Sequence, residues 1–363
     1  MKFKIGKEPL MTALQKVSAA VSVRSPIPVL SNILLSAGNG QVCLTATDLD
    51  MSVRAVTPAA VEKAGETTLP AKILPSIVHD APTTEMEFEL MENETTRILA
   101  GSAVFMLRGI SAVDFPPLPS PGDARPLAVA QKVIKTMLQR VGYAASTDES
   151  RRVLNGTLLR FKDGRLTAVA TDGRRLALIE QELDTGPGDA LDLVVPTKSV
   201  NELVRSLGEK GEVRIRSTSN QAIFEAEDFQ IYTKLMEGVY PNYTQVIPSQ
   251  SSIRIVLERE LFMSAIRRVA LMTNEKSNSV RLNFGKNRVD VTASADIGEA
   301  RETVPLKYDG EEISIAFNPG LLIEPLKYLV SDEIALEMSN PTSPGVIKTD
   351  EPFLYVIMPM MIS

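Results

Sequence analysis

A short strand motif ending on aspartate occurs three times in this chain: LTATDL at 44–49, LTAVATDG at 166–173 and VTASADI at 291–297. Asp48, Asp172 and Asp296 lie at even intervals of 124 residues, and three such periods nearly fill the 363-residue chain. A period this long exceeds the roughly 20–50 residues of solenoids and propellers, so each copy is a domain in its own right. The arrangement of three like scaffolds therefore bears on function before any single residue does.

Each copy opens with an amphipathic helix, read at about 9–22, 130–144 and 260–271. In the second, Val133, Ile134, Met137, Leu138 and Val141 share one arc. Lys132, Lys135, Thr136, Gln139 and Arg140 share the opposite arc, which carries cations and no acids. Alternating strands follow at 31–37, 41–47 and 51–55, and again at 153–162, 165–170 and 175–181. Gly38-Asn39-Gly40, Asp163-Gly164 and Asp172-Gly173 join them, residues that tolerate the positive φ of hairpin turns. Period-two alternation buries one face of each sheet, and the opening helix is its cover. A second helix, at 70–78, 196–205 and 318–327, opens on proline or Asn-Pro. Proline suits that place because its missing N–H has no intrahelical partner there. Strands at 212–216, 221–226 and 229–235 close the second copy. The class is α+β with antiparallel sheets. Proline and small polar residues gather at 114–122 and 240–249, which sets domains at 1–122, 123–249 and 250–363.

With 44% apolar and 23% charged residues the chain is ordinary globular material. One cysteine, Cys43, allows no internal disulfide and fits a reducing compartment. No apolar run approaches the ~18 residues of a membrane span, and no secretory signal opens the chain. A cytoplasmic protein is expected. One histidine, His79, leaves little material for metal clusters or Cys–His dyads, so neither metal nor cofactor is expected. The net charge of −6 argues against nucleic acid only superficially, because binding depends on where the cations sit.

Five motifs in order resemble the bacterial DNA polymerase III beta subunit family, the sliding clamps. They are the opening MKF, DFP at 114–116, ATDGRRLA at 170–177, GVYPNY at 238–243 with VIP at 246–248, and the terminal YVIMPM at 355–360. The resemblance covers the whole length. It implies three clamp domains per chain and two chains joined head to tail in a closed ring, helices inside and sheets outside. Duplex DNA would be enclosed without base readout, a tether for polymerase that carries out no reaction. A diffuse cationic lining would make that binding sequence-independent and salt-sensitive.

The DNA-facing candidates are Arg24, Lys72, Arg140, Arg152, Lys198 and Arg205. The resemblance supports Arg24, Lys72, Lys198 and Arg205 directly. Where family members often carry aromatics before Leu154, this chain has Arg152-Val153. The resemblance also implies a pocket beside the middle and C-terminal domains. There the replicative polymerase, the clamp loader and repair proteins would insert short linear peptides. By motif its lining is Leu154, Thr171, Gly173, Arg174, Arg175, Leu176, Pro241, Val246, Met358, Pro359 and Met360, with Arg175 free to hold a peptide carbonyl or carboxylate. Gln245 and the terminal Met361-Ile362-Ser363 depart from the family pattern and shift the preference toward apolar contacts. Phe105 and the pair Leu271-Met272 fall where the family joins its subunits. Two other readings compete. One is an Mg²⁺ enzyme built on residues 171–175, the other an adaptor that binds peptides without DNA. Asp172 reads as a turn residue rather than a base.

Overall fold

The computed structural model describes residues 1–22, 25–119, 126–183, 190–274, 278–296 and 298–361. Each repeat follows one order of elements. The first runs β1 (Lys2–Gly6), α1 (Lys7–Val17), β2 (Asn32–Gly38), β3 (Gln41–Thr47), β4 (Met51–Pro58), β5 (Ala60–Lys63), β6 (Gly65–Pro70), α2 (Leu74–Asp80), β7 (Glu85–Leu90), β8 (Thr95–Ala100) and β9 (Ala103–Arg108). The second runs β10 (Leu127–Ala130), α3 (Gln131–Val141), β11 (Gly156–Lys162), β12 (Arg165–Thr171), β13 (Arg175–Glu182), β14 (Leu191–Pro196), α4 (Thr197–Ser206), β15 (Glu212–Ser217), β16 (Gln221–Glu225) and β17 (Phe229–Lys234). The third runs β18 (Ile253–Glu258), α5 (Arg259–Val269), β19 (Val280–Gly285), β20 (Arg288–Ala295), β21 (Gly298–Pro305), β22 (Ile313–Phe317), α6 (Pro319–Tyr328), β23 (Glu333–Met338), β24 (Gly345–Lys348) and β25 (Phe353–Ile357). Among the described residues, the extra strand β5 has no counterpart in the other two copies.

The sheets do not respect the repeats. One eight-stranded sheet runs β6-β2-β3-β4 and then, without a break, β17-β16-β15-β10. A second runs β14-β11-β12-β13 and then β25-β24-β23-β18. In both, the fourth strand of one copy pairs antiparallel with the last strand of the next: Val53 faces Ile231 and Ala177 faces Tyr355. A five-stranded sheet, β5-β1-β7-β8-β9, and a four-stranded sheet, β22-β19-β20-β21, hold the unmatched halves. Packing follows the shared sheets. The chain forms two compact units, residues 1–135 with 198–235, and residues 136–197 with 236–363, so the second repeat is split between them.

Helices cover the buried sheet faces. In α1 the buried residues Leu10, Ala13, Leu14 and Val17 recur at three- and four-residue spacing, and the sheet beneath presents Leu44, Ala46 and Val53. The turns match their sequences. Asn39-Gly40 and Asp163-Gly164 both carry positive φ, as two-residue hairpins require.

Some boundaries differ from the sequence expectation. The opening helices end at Val17, Val141 and Val269, and each continues as one short 3₁₀ turn. The helix expected from Pro70 starts only at Leu74, with Pro75 in its first turn, so Lys72 lies on the preceding turn. Residues 149–155, partly expected as strand, form 3₁₀ turns, because the Asp148 side chain caps the Ser150 amide (3.0 Å). Cys43 is buried and unpaired, and His79 is exposed on α2 beside Asp80. Among the described residues no helix is long and apolar enough to cross a membrane.

Candidate functional site

Several of the residues expected to line a pocket lie where β13 meets β25. Arg175 faces Ile357 and Leu176 faces Val356, and beyond the ladder the Met358 amide donates to the Arg174 carbonyl (3.0 Å). Farther on, the Met360 amide donates to the Ala316 carbonyl (2.8 Å). The chain's terminal strand is thereby laid against the Thr-Asp-Gly turn of the preceding repeat. That turn is set by Asp172, whose Oδ1 accepts from the Arg174 (2.8 Å) and Arg175 (3.0 Å) amides. Gly173 stands at φ +86°, which a side chain rarely adopts.

Leu176 and Val356 join Leu158, Val169 and Val194 in a buried floor, with Val153, Met236, Tyr240, Tyr243 and Ile247 packed half-buried against it. Exposed apolar groups flank it: Val246, Met358 and Met360. The expected lining therefore divides. Leu154 and Leu176 are core, Thr171 and Pro359 are half-buried, and Gly173, Arg174 and Pro241 are open to solvent. Tyr240 and Tyr243 pack on this floor, although the motifs assign them no role. Their place at the proline-marked exit of the second repeat was the available signal. Burial holds the Tyr240 hydroxyl above its ordinary pKa, so it stays a neutral donor, and it reaches toward the Val169 carbonyl (3.5 Å).

Arg175 requires a correction. Its side chain is only 13% exposed, with Nε on Asp172 Oδ2 (3.1 Å) and Nη2 on the Tyr143 carbonyl (2.7 Å). The guanidinium is occupied with bracing the turn, and the exposed cations there are Arg174 and Arg151, whose Nη1 donates to the Asp172 carbonyl (3.2 Å). Both Asp172 oxygens are likewise engaged in holding this turn.

The expected cations also separate. Arg140 is 7% exposed and pairs with Glu351 of the third repeat, so it faces the packing between repeats rather than solvent. The helical arc that placed it with Lys132 and Lys135 reported polarity and could not show an acid 211 residues away. Lys198 is exposed at the start of α4 and pairs with Asp48 of the first repeat. Arg205 closes α4, bound to Glu202 (2.7 Å) and to the Lys16 carbonyl at the end of α1 (3.2 Å). Glu202 is itself buried, and desolvation holds its carboxyl above the usual range despite Arg205 and Ser206. Lys72 and Arg152 are exposed, without a carboxylate partner among the described residues. Arg24 lies outside the described residues.

Comparison with known proteins matches this architecture along its length. The models of the DNA polymerase III beta subunit fit in order: the N-terminal domain over residues 1–119, the central domain over 128–242 and the C-terminal domain over 244–361. The beta sliding clamp of Chlamydia pneumoniae is 34% identical over 361 residues, covering 99% of both chains. The chain belongs to the beta sliding clamp family. The crystal structure of the Bacillus subtilis DNA polymerase sliding clamp superposes with a TM-score of 0.95 at 30% identity, over all of both chains. That of the Pseudomonas aeruginosa sliding clamp bound to griselimycin gives 0.94 at 30% identity, again over all of both chains.

Two sheet edges of this clamp are open in the single chain. Strand β9 ends the five-stranded sheet, and its Val104 and Met106 are exposed while Phe105 is half-buried. Strand β21 ends the four-stranded sheet. The 3₁₀ turn Ala270–Met272 packs beside β21, with Met272 Sδ 3.8 Å from where a Cβ on Gly298 would sit and Leu271 74% exposed. Long unpaired edges with apolar side chains invite pairing with another chain.

Proposed function

We propose that this sliding clamp is a processivity factor whose two chains join head to tail and enclose duplex DNA in the cytoplasm, tethering the replicative polymerase without catalysing a reaction. The three clamp domains are taken as 1–122, 123–249 and 250–363. The observation that carries the ring is one of topology. Both internal joints pair the fourth strand of one repeat (β4, β13) with the last strand of the next (β17, β25). The strands left without such a partner are the fourth of the last repeat, β21, and the last of the first repeat, β9. A second copy satisfies both edges by the contact the chain already makes twice, and two-fold repetition closes the arrangement instead of growing a filament. Phe105, Leu271 and Met272 then lie at the joint between chains. Retention on nicked circular DNA and release on linearisation is the expected result. Equal retention on both forms would exclude enclosure.

The exposed cations supply the attraction to phosphate, and it is a moderated attraction. Lys198 and Arg205 are each held by a carboxylate of the chain, which weakens their grip on any one phosphate. Asp48→Asn keeps the turn-making oxygen at 48 but releases Lys198. Non-topological binding to linear duplex should then tighten about threefold in low salt, with the salt slope steeper by about one ion. An unchanged slope would remove Lys198 from the DNA-facing set.

The groove at 171–176 and 358–360 is the docking place for short peptides with apolar anchors from the polymerase, the clamp loader and repair proteins. Methionines suit a surface that receives several related peptides. Met360→Ala with Val246→Ala should weaken binding of a labelled polymerase-tail peptide about tenfold, the scale of losing an anchor contact. Sedimentation should show the dimer unchanged. Unaltered peptide affinity would reject the groove.

A further inference from the structure

The three opening helices have the same length, and their tenth residues are Lys16, Arg140 and Arg268. The first two form ion pairs with the turn that precedes the joining strand of the following repeat. Lys16 meets Asp228, just ahead of β17, and Arg140 meets Glu351, in the turn ahead of β25. Each internal joint therefore has a backbone ladder on one side and a helix-to-turn ion pair on the other. Both carboxylates sit in the hairpin that delivers the pairing strand, so the ion pair and the strand register reinforce each other.

The third helix is different. Arg268 is bound through two N–H groups to Glu302 of β21, in its own repeat (2.8 and 2.5 Å). The corresponding turn in the first repeat, ahead of β9, is Gly101-Ser102, with no carboxylate. We propose that the joint between two chains lacks the helix-to-turn ion pair built into both joints within a chain, and that a carboxylate at position 102 would supply it to Arg268 of the partner subunit. The inference rests on the pairing of β21 with β9 of a second copy proposed above. Glu302 is the internal substitute that keeps Arg268 from standing unpaired beside that joint.

The test is a double-mutant cycle on the full chain: wild type, Ser102→Asp, Arg268→Gln and both together, with dimer dissociation constants from sedimentation equilibrium in low salt. Position 102 is in an exposed two-residue turn, so folding is not at stake. Ser102→Asp should tighten the dimer about fivefold, the upper range for an exposed pair, and the gain should vanish in high salt. Arg268→Gln alone should leave the wild-type constant within about twofold, and the double variant should return to it. No tightening with Ser102→Asp, tightening that survives Arg268→Gln, or a wild-type dimer markedly weakened by Arg268→Gln would each overturn the inference while leaving the ring intact. Chains that dimerise in none of the four forms would overturn the ring and this joint together.

Discussion

Met106→Pro is expected to convert the clamp to a monomer that no longer stays on nicked circular DNA. The two-residue turn at Gly101-Ser102 makes Ala100 and Ala103 the first hydrogen-bonded pair of the β8–β9 hairpin. Alternation along an antiparallel ladder then points the Val104 and Met106 amides away from β8, toward the open edge. A proline at 106 removes one of those outward donors and fixes φ, while every bond from β9 to β8 is kept. Proline is tolerated at such edge positions, so the chain itself should fold. Sedimentation velocity should show one chain per particle, with far-UV circular dichroism and melting temperature close to wild type. A dimer of wild-type stability would rule out β9 as a joining strand.

Glu351→Ala is expected to destabilise the unit containing residues 136–197 and 236–363 by about 3 kcal/mol or more, because it strands a buried guanidinium. Arg140 has 9% of its side chain exposed against 33% for Glu351, so the loss of the acid costs more than its own exposure suggests. Burial already pushes the Arg140 guanidinium down from its ordinary pKa, the direction expected of a cation that depends on a partner. The equivalent change at the other internal joint, Asp228→Ala, should cost under about 1 kcal/mol, since 57% of the Asp228 side chain is exposed. Denaturant unfolding, with hydrogen exchange read at α3 and β25, distinguishes the two. Equal costs would mean that burial does not set the strength of these pairs.

Much of one repeat was legible in the sequence because its signals are local. Helical periodicity, Asn-Gly and Asp-Gly turns, Pro196 just ahead of α4 and Pro319 at the first position of α6 act over a few residues, and Asp172 performs the turn role its neighbours implied. The exchange of strands between repeats was not legible. An alternating strand records that one face is buried but carries nothing about which edge it will join. Arg140 and Arg175 were misjudged for the same reason, since each is claimed by a partner that ordinary sequence patterns do not flag: Glu351 far along the chain for one, a backbone carbonyl at Tyr143 for the other. Tyr240 and Tyr243 were visible as motif residues, but their packing on the groove floor needs β13 and β25 to be side by side.

The pairing of β13 with β25 also bears on biosynthesis. A ribosome finishes Arg175 long before it reaches Phe353, so the middle repeat emerges with a bare flank that waits for β25. Nascent chains halted before that strand should expose the flank to chaperones or to one another, and synthesis of β25 is the step that covers it.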